Sequence, residues 1–351
     1  MATAARTAAE LRRALAAFPG VGLSRLPTPL EPLDRLSEYL AGPRIWAKRD
    51  DLTGLGLGGN KLRKLDVVLR AALDGGADTL VSGGVVQSNS QRLVAAAAAK
   101  LGFDCHLAVY HGRVEATSAE YEYSGNALLN NLFGATLHDV PWTGDRNAAI
   151  AELSEALKGE GRCPYLVPYG VSNGLGALGY ASTIVEIAEQ AREQGFAPSA
   201  IVHCTGSGGT QAGLIVGGSL GLPEADVVGV DIDAEPERVR DDVLRLSDEA
   251  AALLGADVDG ARVEVVPGHA GPAYGVPHDA TLDAMALAGR LEALVLDPVY
   301  TGKALAGLIA LVAEGRWAKG EHVVFIHTGG TPAVFAYGDL LKEKTRRRSQ
   351  S

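Results

Sequence analysis

Short apolar runs alternate with stretches of helical period along most of the chain. The runs rich in Val, Ile and aromatic residues predict strands at residues 44–48, 78–83, 105–110, 200–204, 226–230 and 322–327. The other stretches predict helices that begin near Asn60, Ser88, Gly125, Asn147, Gly174, Gly209, Glu235, Ala280 and Gly302. This alternation favours an α/β fold, in which crossover helices pack on both faces of mostly parallel sheets. Ligands of such sheets bind at the carboxyl ends of the strands, so chemistry is expected in the loops there.

The two ends of the chain carry different patterns. Residues 1–18 interleave Arg and Glu among alanines, which predicts an amphipathic helix and lacks the unbroken apolar segment of a signal peptide. The longest wholly apolar run, residues 304–313, is too short to span a bilayer. Residues 342–351 are basic and polar and predict a solvated, disordered tail. A soluble, cytoplasmic protein without a membrane partner is expected.

Composition narrows the classes of function. The 351 residues favour two domains or one large α/β unit, and 47% apolar residues are enough for a sizeable core. With 32 basic and 42 acidic side chains the net charge is −10, which disfavours nucleic acid or an anionic membrane as a partner. No CxxC pair is present, so neither a disulfide framework nor a zinc site is indicated. The cysteines expected to be buried thiols are Cys105, Cys163 and Cys204.

The loop after the strand at 200–204 consists of small residues. Thr205 to Gly209 precede a helix that opens at Thr210. Unpaired amides at such a helix start point into one concavity, beside the hydroxyls of Ser207 and Thr210. This arrangement is typical of a phosphate site, although the loop has neither the lysine of a P-loop nor the glycine spacing of a dinucleotide site. A tight strand-to-helix turn with close packing is the alternative interpretation.

A second glycine-rich segment, SNGLGALGY at 172–180, matches the dinucleotide pattern GxGxxG. No acidic residue follows on a strand at the required interval, because the chain continues as a long helical pattern. A glycine-rich helix start with close packing is therefore the favoured interpretation.

The segment VVQSNSQR holds a third candidate site. Ser88 followed three residues later by Gln91 predicts a capping box before an alanine-rich helix. Ser88, Asn89 and Ser90 would then present hydroxyls, an amide and the first helix N–H groups at the mouth of the sheet. Such donors suit a carboxylate, and plain helix capping is the alternative.

Two lysines follow a glycine-rich approach, GLGLGGN at 54–60. Pyridoxal phosphate that a lysine holds as a Schiff base needs a site for its phosphate, a lysine amine within reach and donors for the substrate carboxylate. The three segments supply these: a phosphate cradle without nucleotide motifs, an amine after a glycine-rich approach, and a helix start that can bind a carboxylate. The lysine must attack as the neutral amine, which desolvation and positive charge from Arg63 or Lys64 would favour. Spacing alone leaves Lys61 and Lys64 both open, and a surface position is the alternative for Lys61.

Seven segments resemble, in the same order, those of the D-cysteine desulfhydrase and 1-aminocyclopropane-1-carboxylate (ACC) deaminase family: GGNKLRKLD, VVQSNSQR, SNGLGALGY, TGSGGTQAG, AYGVP, LDPVYTGKALAGL and FIHTGGTPAVFAY. The likeness covers nearly the whole chain. It implies a pyridoxal-phosphate enzyme of fold type II, the tryptophan-synthase β-subunit fold, with two open, twisted, mostly parallel sheets. It also implies a larger cofactor-binding domain (1–62 and 172–351), a smaller domain (63–171) with the active site in the cleft between them, and a homodimer that acts on a small amino acid.

The resemblance implies roles for individual residues in the first half of the chain. Lys61, directly after GGN, would hold the cofactor and take the α-proton, with Lys64 secondary. Ser88, Asn89 and Ser90 would hold the substrate carboxylate, and Asn89 would also reach the ring hydroxyl of the cofactor.

Further implied contacts come from the second half of the chain. The residues that match the phosphate loop are Ser207, Gly208, Gly209 and Thr210. Tyr274 and Tyr300 match two family tyrosines that lie on opposite sides of the substrate. Core packing with a satisfied hydroxyl is the alternative for each tyrosine.

Two threonines bear on the branch of the family. Thr301 and Thr328 stand where ACC deaminases have a glutamate and a leucine, as in the desulfhydrase branch. A neutral hydroxyl beside the pyridine nitrogen makes the ring a weaker electron sink, which suits loss of a good leaving group better than opening of a cyclopropane. The expected reaction is therefore α,β-elimination. D-cysteine would yield sulfide, pyruvate and ammonia, and L-cysteate, the substrate of a similar sulfo-lyase group, would yield sulfite instead of sulfide.

Other hypotheses stay open at the level of sequence. They are β-replacement, racemisation, a nucleotide-dependent oxidoreductase and a non-catalytic pyridoxal-phosphate carrier. Ser90 departs from the histidine of desulfhydrases and the glutamine of deaminases. His111 and Arg113 replace an acidic turn and could meet an anionic side chain such as a sulfonate, although solvent-facing loop residues are the favoured interpretation.

Overall fold

Residues 7–114 and 120–348 are described by the structure, a computed structural model of the chain. Their strands are β1 (Leu30–Pro32), β2 (Arg44–Lys48), β3 (Thr79–Val85), β4 (Asp104–His111), β5 (Thr136–Pro141), β6 (Pro164–Leu166), β7 (Ala200–Thr205), β8 (Asp226–Asp231), β9 (Glu264–Val266) and β10 (His322–Ile326). Their helices are α1 (Ala8–Leu15), α2 (Asp34–Leu40), α3 (Lys61–Asp74), α4 (Asn89–Leu101), α5 (Glu120–Tyr123), α6 (Gly125–Leu132), α7 (Ala148–Gly159), α8 (Gly174–Glu193), α9 (Gly209–Gly221), α10 (Pro236–Leu253), α11 (Asp279–Glu292), α12 (Thr301–Ala313), α13 (Ala333–Ala336) and α14 (Gly338–Arg348). Within these ranges no helix is both long enough and apolar enough to cross a bilayer.

The strands form two sheets. The larger sheet has the order β1-β2-β10-β7-β8-β9, with β1 antiparallel to β2 and the other pairs parallel. The smaller sheet, β5-β4-β3-β6, is parallel throughout. The predicted α/β class with two mostly parallel sheets is confirmed, and all six predicted strands are present. The pattern missed β1, β6 and β9, which have three residues each, and β5, whose His, Asp and Pro obscure its β character.

Alternate residues of the central strands of the larger sheet enter two apolar layers. In β10, Val323 and Phe325 belong to one layer, and Val324 and Ile326 belong to the other. The first layer includes side chains of α2, α11 and α12, and the second includes side chains of α8, α9 and α10. Because both faces are covered, β7, β8 and β10 are continuous apolar runs rather than alternating ones.

The smaller sheet buries its two faces in the same way. Leu80 and Leu107 pack with α3 and α4, whereas Val81 and Ala108 pack with α7. Helix α3 contributes apolar residues from Leu62 onward to the first of these cores. The predicted domain boundary at residue 62 therefore falls inside a helix, and the domain limits stay a prediction.

The ends of the elements agree closely with the sequence pattern. Each predicted helix start lies within one residue of an observed start. Helix α1 confirms the amphipathic N-terminal helix, although residues 1–6 lie outside the described residues. One prediction about the cysteines is wrong, because Cys163 is exposed while the other two thiols are buried.

The prediction of a disordered C-terminal tail is also wrong for most of its length. Helix α14 continues to Arg348, and only residues 349–351 lie outside the described residues. Lys344 of this helix is ion-paired with Asp279 at 3.1 Å and with Asp283 at 3.2 Å, both on α11. Lys344 of the tail thus meets carboxylates that lie far away in the sequence.

Candidate active site

A cavity with about 680 Å³ of open space lies at the carboxyl ends of strands from both sheets. Its lining includes all six residues that the sequence assigned to substrate and catalysis, namely Lys61, Ser88, Asn89, Ser90, Tyr274 and Tyr300. It also includes most of those assigned to the cofactor, namely Ser207, Gly208, Thr210 and Thr328. The structure therefore brings together, in one place, residues that lie up to 267 positions apart in the chain (328 − 61).

Lys61 is the first residue of α3, and the glycines before it fix its approach. Gly58 and Gly59 have φ values of 68° and 131°, and a side chain at Gly58 would collide with the carbonyl oxygen of Asp51. The amide of Asn60 donates to the carbonyl of Thr328 at 2.9 Å. The glycine-rich approach is thus required for the chain to pass close to two neighbouring backbones and deliver Lys61 to the cavity.

The amine of Lys61 has a lowered pKa, which favours its reactive neutral form. Burial lowers the pKa of Lys61 to about 8, against smaller opposing effects of Cys204 and Lys64. About a tenth of this amine is therefore neutral at pH 7, far more than for an ordinary lysine. Arg63 supplies no free positive charge, contrary to the expectation, because its guanidinium is paired with Asp50 at 2.8 Å and with Glu186 at 2.7 Å.

The loop between β7 and α9 has the geometry of an anion cradle. Gly208 is the N-cap of α9, has φ of 79° and offers no side-chain cap to the first-turn amides. A methyl group at Gly206 would lie 2.7 Å from Ile232, and one at Gly209 would lie 2.8 Å from the amine of Lys64. Larger side chains do not fit there, so the backbone amides stay uncovered.

Lys64 is the member of this cradle that sequence reasoning left as secondary. It is fully buried, and its amine donates to the carbonyl of Gly170 at 3.1 Å. Burial and the neighbouring amine of Lys61 lower the pKa of Lys64 well below its usual value. Its spacing of three residues from Lys61, one helical turn, was the available signal, because residues so spaced share a helix face.

The start of α4 supplies a second set of donors. Ser88 is the N-cap and accepts a hydrogen bond from the amide of Gln91 at 3.3 Å. The predicted capping box is only half present, because the side chain of Gln91 donates to Ala108 of β4 at 2.9 Å instead. Ser90 lies in the cavity lining, and its buried hydroxyl has no hydrogen-bond partner among the described residues. An unpaired buried hydroxyl at this position is available to a ligand.

Tyr274 and Tyr300 lie on the same side of the cavity. Their hydroxyls are hydrogen-bonded to each other, and their ring centroids are 6.1 Å apart. Their expected position on opposite sides of the substrate stays a prediction. Burial raises the pKa of both phenols well above the usual value, so both are protonated and can act as proton donors.

The two threonines have different positions. Thr301 does not line the cavity, and its hydroxyl donates to Asp297 at 2.7 Å while accepting from the amide of Asp297 at 2.8 Å. The hydroxyl of Thr301 is thus engaged by Asp297, and its contact with the cofactor stays a prediction. Thr328 does line the cavity, where its hydroxyl lies 3.2 Å from the thiol of Cys204. A neutral hydroxyl–thiol pair consequently occupies the end of β10.

One wall of the cavity was missed by the sequence except for Arg113, which it named as a possible contact of an anionic side chain. Arg113, Arg146, Tyr169 and Asp233 line it, and they come from four separate loops. The solvent-facing interpretation is wrong for Arg113, whose side chain is only 9% exposed. It holds for His111, which is exposed and bonded to Asp139 outside the cavity lining.

The segment that matches GxGxxG has the structural role expected of it. Asn173 caps α8 by accepting from the amide of Gly176 at 2.7 Å. A side chain at Gly179 would collide with the backbone of Arg63, and one at Gly176 would lie 2.6 Å from the carbonyl of Val171. These glycines let α8 pack closely on α3, so they give no support to a dinucleotide-binding oxidoreductase.

A buried lysine of lowered pKa beside an uncovered anion cradle, between two parallel sheets, defines a class of protein: enzymes that hold pyridoxal phosphate through a lysine. The comparison with protein families agrees, since the family described as pyridoxal-phosphate dependent enzyme matches residues 21–329. The chain belongs to this family, whose cofactor is pyridoxal 5′-phosphate.

Individual proteins with known names are similar to this chain over nearly its whole length. The D-cysteine desulfhydrase of Yersinia enterocolitica is 43% identical over 327 residues, which are 93% of this chain and 98% of the relative. That of Serratia proteamaculans is 43% identical over 328 residues, with the same shares of the two chains. The crystal structure of an ACC deaminase homologue aligns with a TM-score of 0.86 and 37% identity, over 95% of this chain and 98% of that one. A threonine deaminase from Solanum lycopersicum, at 18% identity and a TM-score of 0.67 over 97% and 88% of the two chains, shares the fold.

The residues present fit the family's cofactor. Lys61 offers an amine for the aldehyde, and the amides after Gly208, with the Lys64 amine beside them, offer a site for the phosphate. Two hydroxyls in the cavity lining, those of Ser90 and Thr205, are buried and unpaired among the described residues. The chain is a pyridoxal-phosphate enzyme of fold type II, as the sequence indicated.

Proposed function

We propose that this enzyme catalyses α,β-elimination on a small β-substituted amino acid, and that D-cysteine is the first substrate to test. The observation that carries this proposal is the 43% identity, over nearly the full chain, to proteins named D-cysteine desulfhydrase. With D-cysteine and water the products are hydrogen sulfide, pyruvate and ammonium. The Thr328–Cys204 pair in the cavity lining is uncharged, which supports elimination over cyclopropane opening.

Pyridoxal phosphate, when bound, supplies the electron-withdrawing ring that makes the substrate α-proton acidic. Lys61 takes this proton, because its amine has a lowered pKa and lies in the same cavity as the substrate donors. The electron pair of the broken Cα–H bond forms a Cα–Cβ double bond, and the pair of the Cβ–S bond leaves with sulfur. Water then releases the keto acid and ammonia.

The remaining groups orient the substrate and supply a proton. Ser88, Asn89 and Ser90 bind the α-carboxylate through hydroxyls, an amide and the first N–H groups of α4. Burial keeps the hydrogen-bonded phenols of Tyr274 and Tyr300 protonated, and one of them donates its proton to the departing sulfur.

The enzyme is proposed to act as a homodimer. Four large apolar side chains are exposed by more than half on neighbouring helices α5, α6 and α13, namely Tyr123, Leu128, Leu132 and Phe335. An exposed apolar surface of this kind is typical of a subunit interface. Light scattering after gel filtration is expected to give about twice the chain mass of 36.4 kDa. A mass equal to one chain would contradict the dimer.

A substrate panel tests the proposed reaction. D-cysteine, L-cysteine, L-cysteate, β-chloroalanine and ACC are each incubated with the enzyme, and keto acid, sulfide and sulfite are measured. Keto acid is expected from at least one β-substituted amino acid, with D-cysteine as the leading candidate. Consumption of ACC alone, or keto acid from none of the five, would contradict elimination as the reaction.

A further inference from the structure

The loop between β9 and α11, residues 267–278, carries Tyr274 on a tight turn. The amide of Val276 donates to the carbonyl of Ala273 at 3.1 Å, which closes the turn around Tyr274 and Gly275. Gly275 has φ of 81°, a value that suits glycine at the third position of such a turn. The direction of the Tyr274 ring therefore depends on what fixes this turn against the rest of the fold.

A buried lysine of α12 contacts the turn through its backbone. Lys303 is fully buried, and its amine donates to the carbonyl of Ala270 and, at 3.3 Å, to that of Ala273. The Ala273 carbonyl also closes the turn, so Lys303 and the turn share an acceptor. A second contact comes from Tyr337, whose hydroxyl donates to the carbonyl of Gly275 at 2.8 Å. Two buried side chains thus hold the turn.

Helix α12 also fixes the second phenol. Tyr300 is the N-cap of this helix, and its amide donates to the side chain of Asp297 at 2.9 Å. Lys303 follows three residues later, about one helical turn away. The hydroxyl of Tyr300 is hydrogen-bonded to that of Tyr274. One helix therefore meets the loop of Tyr274 at two points, at the phenols in the cavity and at Lys303 in the interior.

The charge of Lys303 is costly where it lies. Burial lowers its pKa to about 8, against the opposing effect of the carboxylates of Asp297, Asp233 and Asp231. The amine is therefore mostly protonated at neutral pH, and a buried cation lowers stability unless its donors are satisfied. A methionine would fill similar space without this cost. Because both carbonyl acceptors belong to the loop of Tyr274, what the charge secures is the place of that loop.

We propose that Lys303 is a positioning residue for the proton-donating phenols: it holds the turn at the distance from α12 at which the hydroxyls of Tyr274 and Tyr300 meet. This inference rests on the proposed elimination, in which one of these phenols protonates the departing sulfur. Among the described residues, those that line the cavity do not include Lys303, so it acts through the turn. A shift of the turn by about 1 Å would break the contact between the hydroxyls, because hydrogen bonds weaken steeply with distance.

Kinetic coupling between two substitutions tests this role. Lys303→Met removes the donors and keeps an unbranched side chain of similar length. With the panel compound that reacts fastest, kcat is expected to fall about tenfold while KM stays within about twofold. In a Tyr274→Phe background the same substitution is expected to change kcat by less than about twofold, because the hydroxyl that Lys303 places is already gone. Equal losses in both backgrounds would overturn the proposal, as would an unchanged kcat in the single variant.

Two further variants separate positioning from general stability. Lys303→Gln keeps a neutral donor and is expected to lose less of kcat than Lys303→Met. The matched control is Lys48→Met, because Lys48 of β2 is equally buried and donates to the carbonyl of Thr28 at 2.7 Å. Any change in kcat that this control causes is expected to be the same with and without the Tyr274 hydroxyl. Failure of both Lys303 variants to fold would mean that the lysine supports the fold as a whole, which also overturns the proposal.

Hydrogen exchange gives a readout that needs no turnover. Peptides that cover residues 268–278 of the cofactor-loaded enzyme are followed by mass spectrometry. The amide of Val276, which closes the turn, is expected to exchange about tenfold faster in Lys303→Met and at the wild-type rate in Lys48→Met. Wild-type exchange in Lys303→Met would reject positioning, whether or not the substrate panel yields keto acid. Faster exchange without keto acid from any of the five compounds would reject elimination and keep the contact of Lys303 with the turn.

Discussion

The two ends of the cavity are built in different ways. The cofactor end consists of Lys61 with its glycine approach and of the loop from Thr205 to Thr210, so each part is a continuous stretch of chain. The other end is a wall of charged and aromatic side chains. It joins Arg113 to Asp233, which lie 120 positions apart, and includes Arg146 and Tyr169 from two further loops.

This difference explains what each end can bind and how easily each end is recognised in the amino-acid sequence. The cofactor end uses backbone amides and tight turns, which glycine makes possible and which leave a recognisable composition in the sequence. The wall uses side-chain charges whose effect depends on which of them meet. The cofactor end is thus expected to tolerate almost no change of backbone, and the wall to tune the choice of substrate.

Removing the amine of Lys61 is expected to have the largest effect. Lys61→Ala leaves the glycine approach intact but removes the amine that we propose holds the cofactor and takes the α-proton. Turnover is expected to fall by roughly a thousandfold or more, and borohydride should no longer trap a cofactor adduct. Keto acid assays and intact mass of the reduced protein measure the two effects. Lys100→Ala, at the exposed end of α4, is the control and should behave as the wild type. A trapped adduct with full turnover in Lys61→Ala would assign the role to another lysine.

Removing one phenol next to the wall is expected to have the second largest effect. Tyr300→Phe deletes the hydroxyl that is hydrogen-bonded to Tyr274, so the departing group loses one of its two candidate proton donors. We expect kcat to fall about 100-fold with little change in KM, measured by steady-state keto acid release. Tyr39→Phe changes a tyrosine that is 65% exposed and serves as the control. An unchanged kcat would show that this end of the cavity only binds.

Adding one methyl group to the cradle tests the backbone character of the cofactor end. Gly209→Ala places a carbon 2.8 Å from both the Lys64 amine and the Ser172 hydroxyl. The affinity for pyridoxal phosphate is expected to fall about tenfold, measured by absorbance titration of the apoprotein. Gly218→Ala in the same helix meets only an ordinary contact of 3.5 Å with Val227 and should leave this affinity unchanged. Equal affinities in both variants would argue against the cradle.

The pH dependence of cofactor loading gives the smallest effect. The neutral amine of Lys61 is the reactive form, and burial lowers its pKa to about 8, so loading should speed up as pH rises and level off above that value. Between pH 7.5 and 9 the rate of reconstitution should increase about fourfold, followed by stopped-flow absorbance. A rate that keeps rising toward pH 10.5 would indicate an amine as solvated as that of a free lysine.

Sequence reasoning succeeded where the information was local. The six long strands, the helix starts, the cradle and the cap at Ser88 each depend on a few adjacent residues. Sequence reasoning failed where a side chain has a hydrogen-bond partner far away in the chain, or several partners that compete for it. Gln91 bonds to β4 rather than completing the capping box, and the hydroxyl of Thr301 is taken by Asp297. In such cases a sequence pattern identifies the hydrogen-bond donor, but it does not identify which of several possible acceptors the donor contacts.

The sequence by itself determined the α/β class and the glycine-rich turns before Lys61 and before α9, because backbone conformation follows from residue types at neighbouring positions. Only the tertiary structure decided that the hydroxyls of Tyr274 and Tyr300 meet and that Arg113 turns inward to Asp233. The reason is physical: side-chain charges and hydroxyls act over a few ångströms, and the fold alone sets which of them come within that distance.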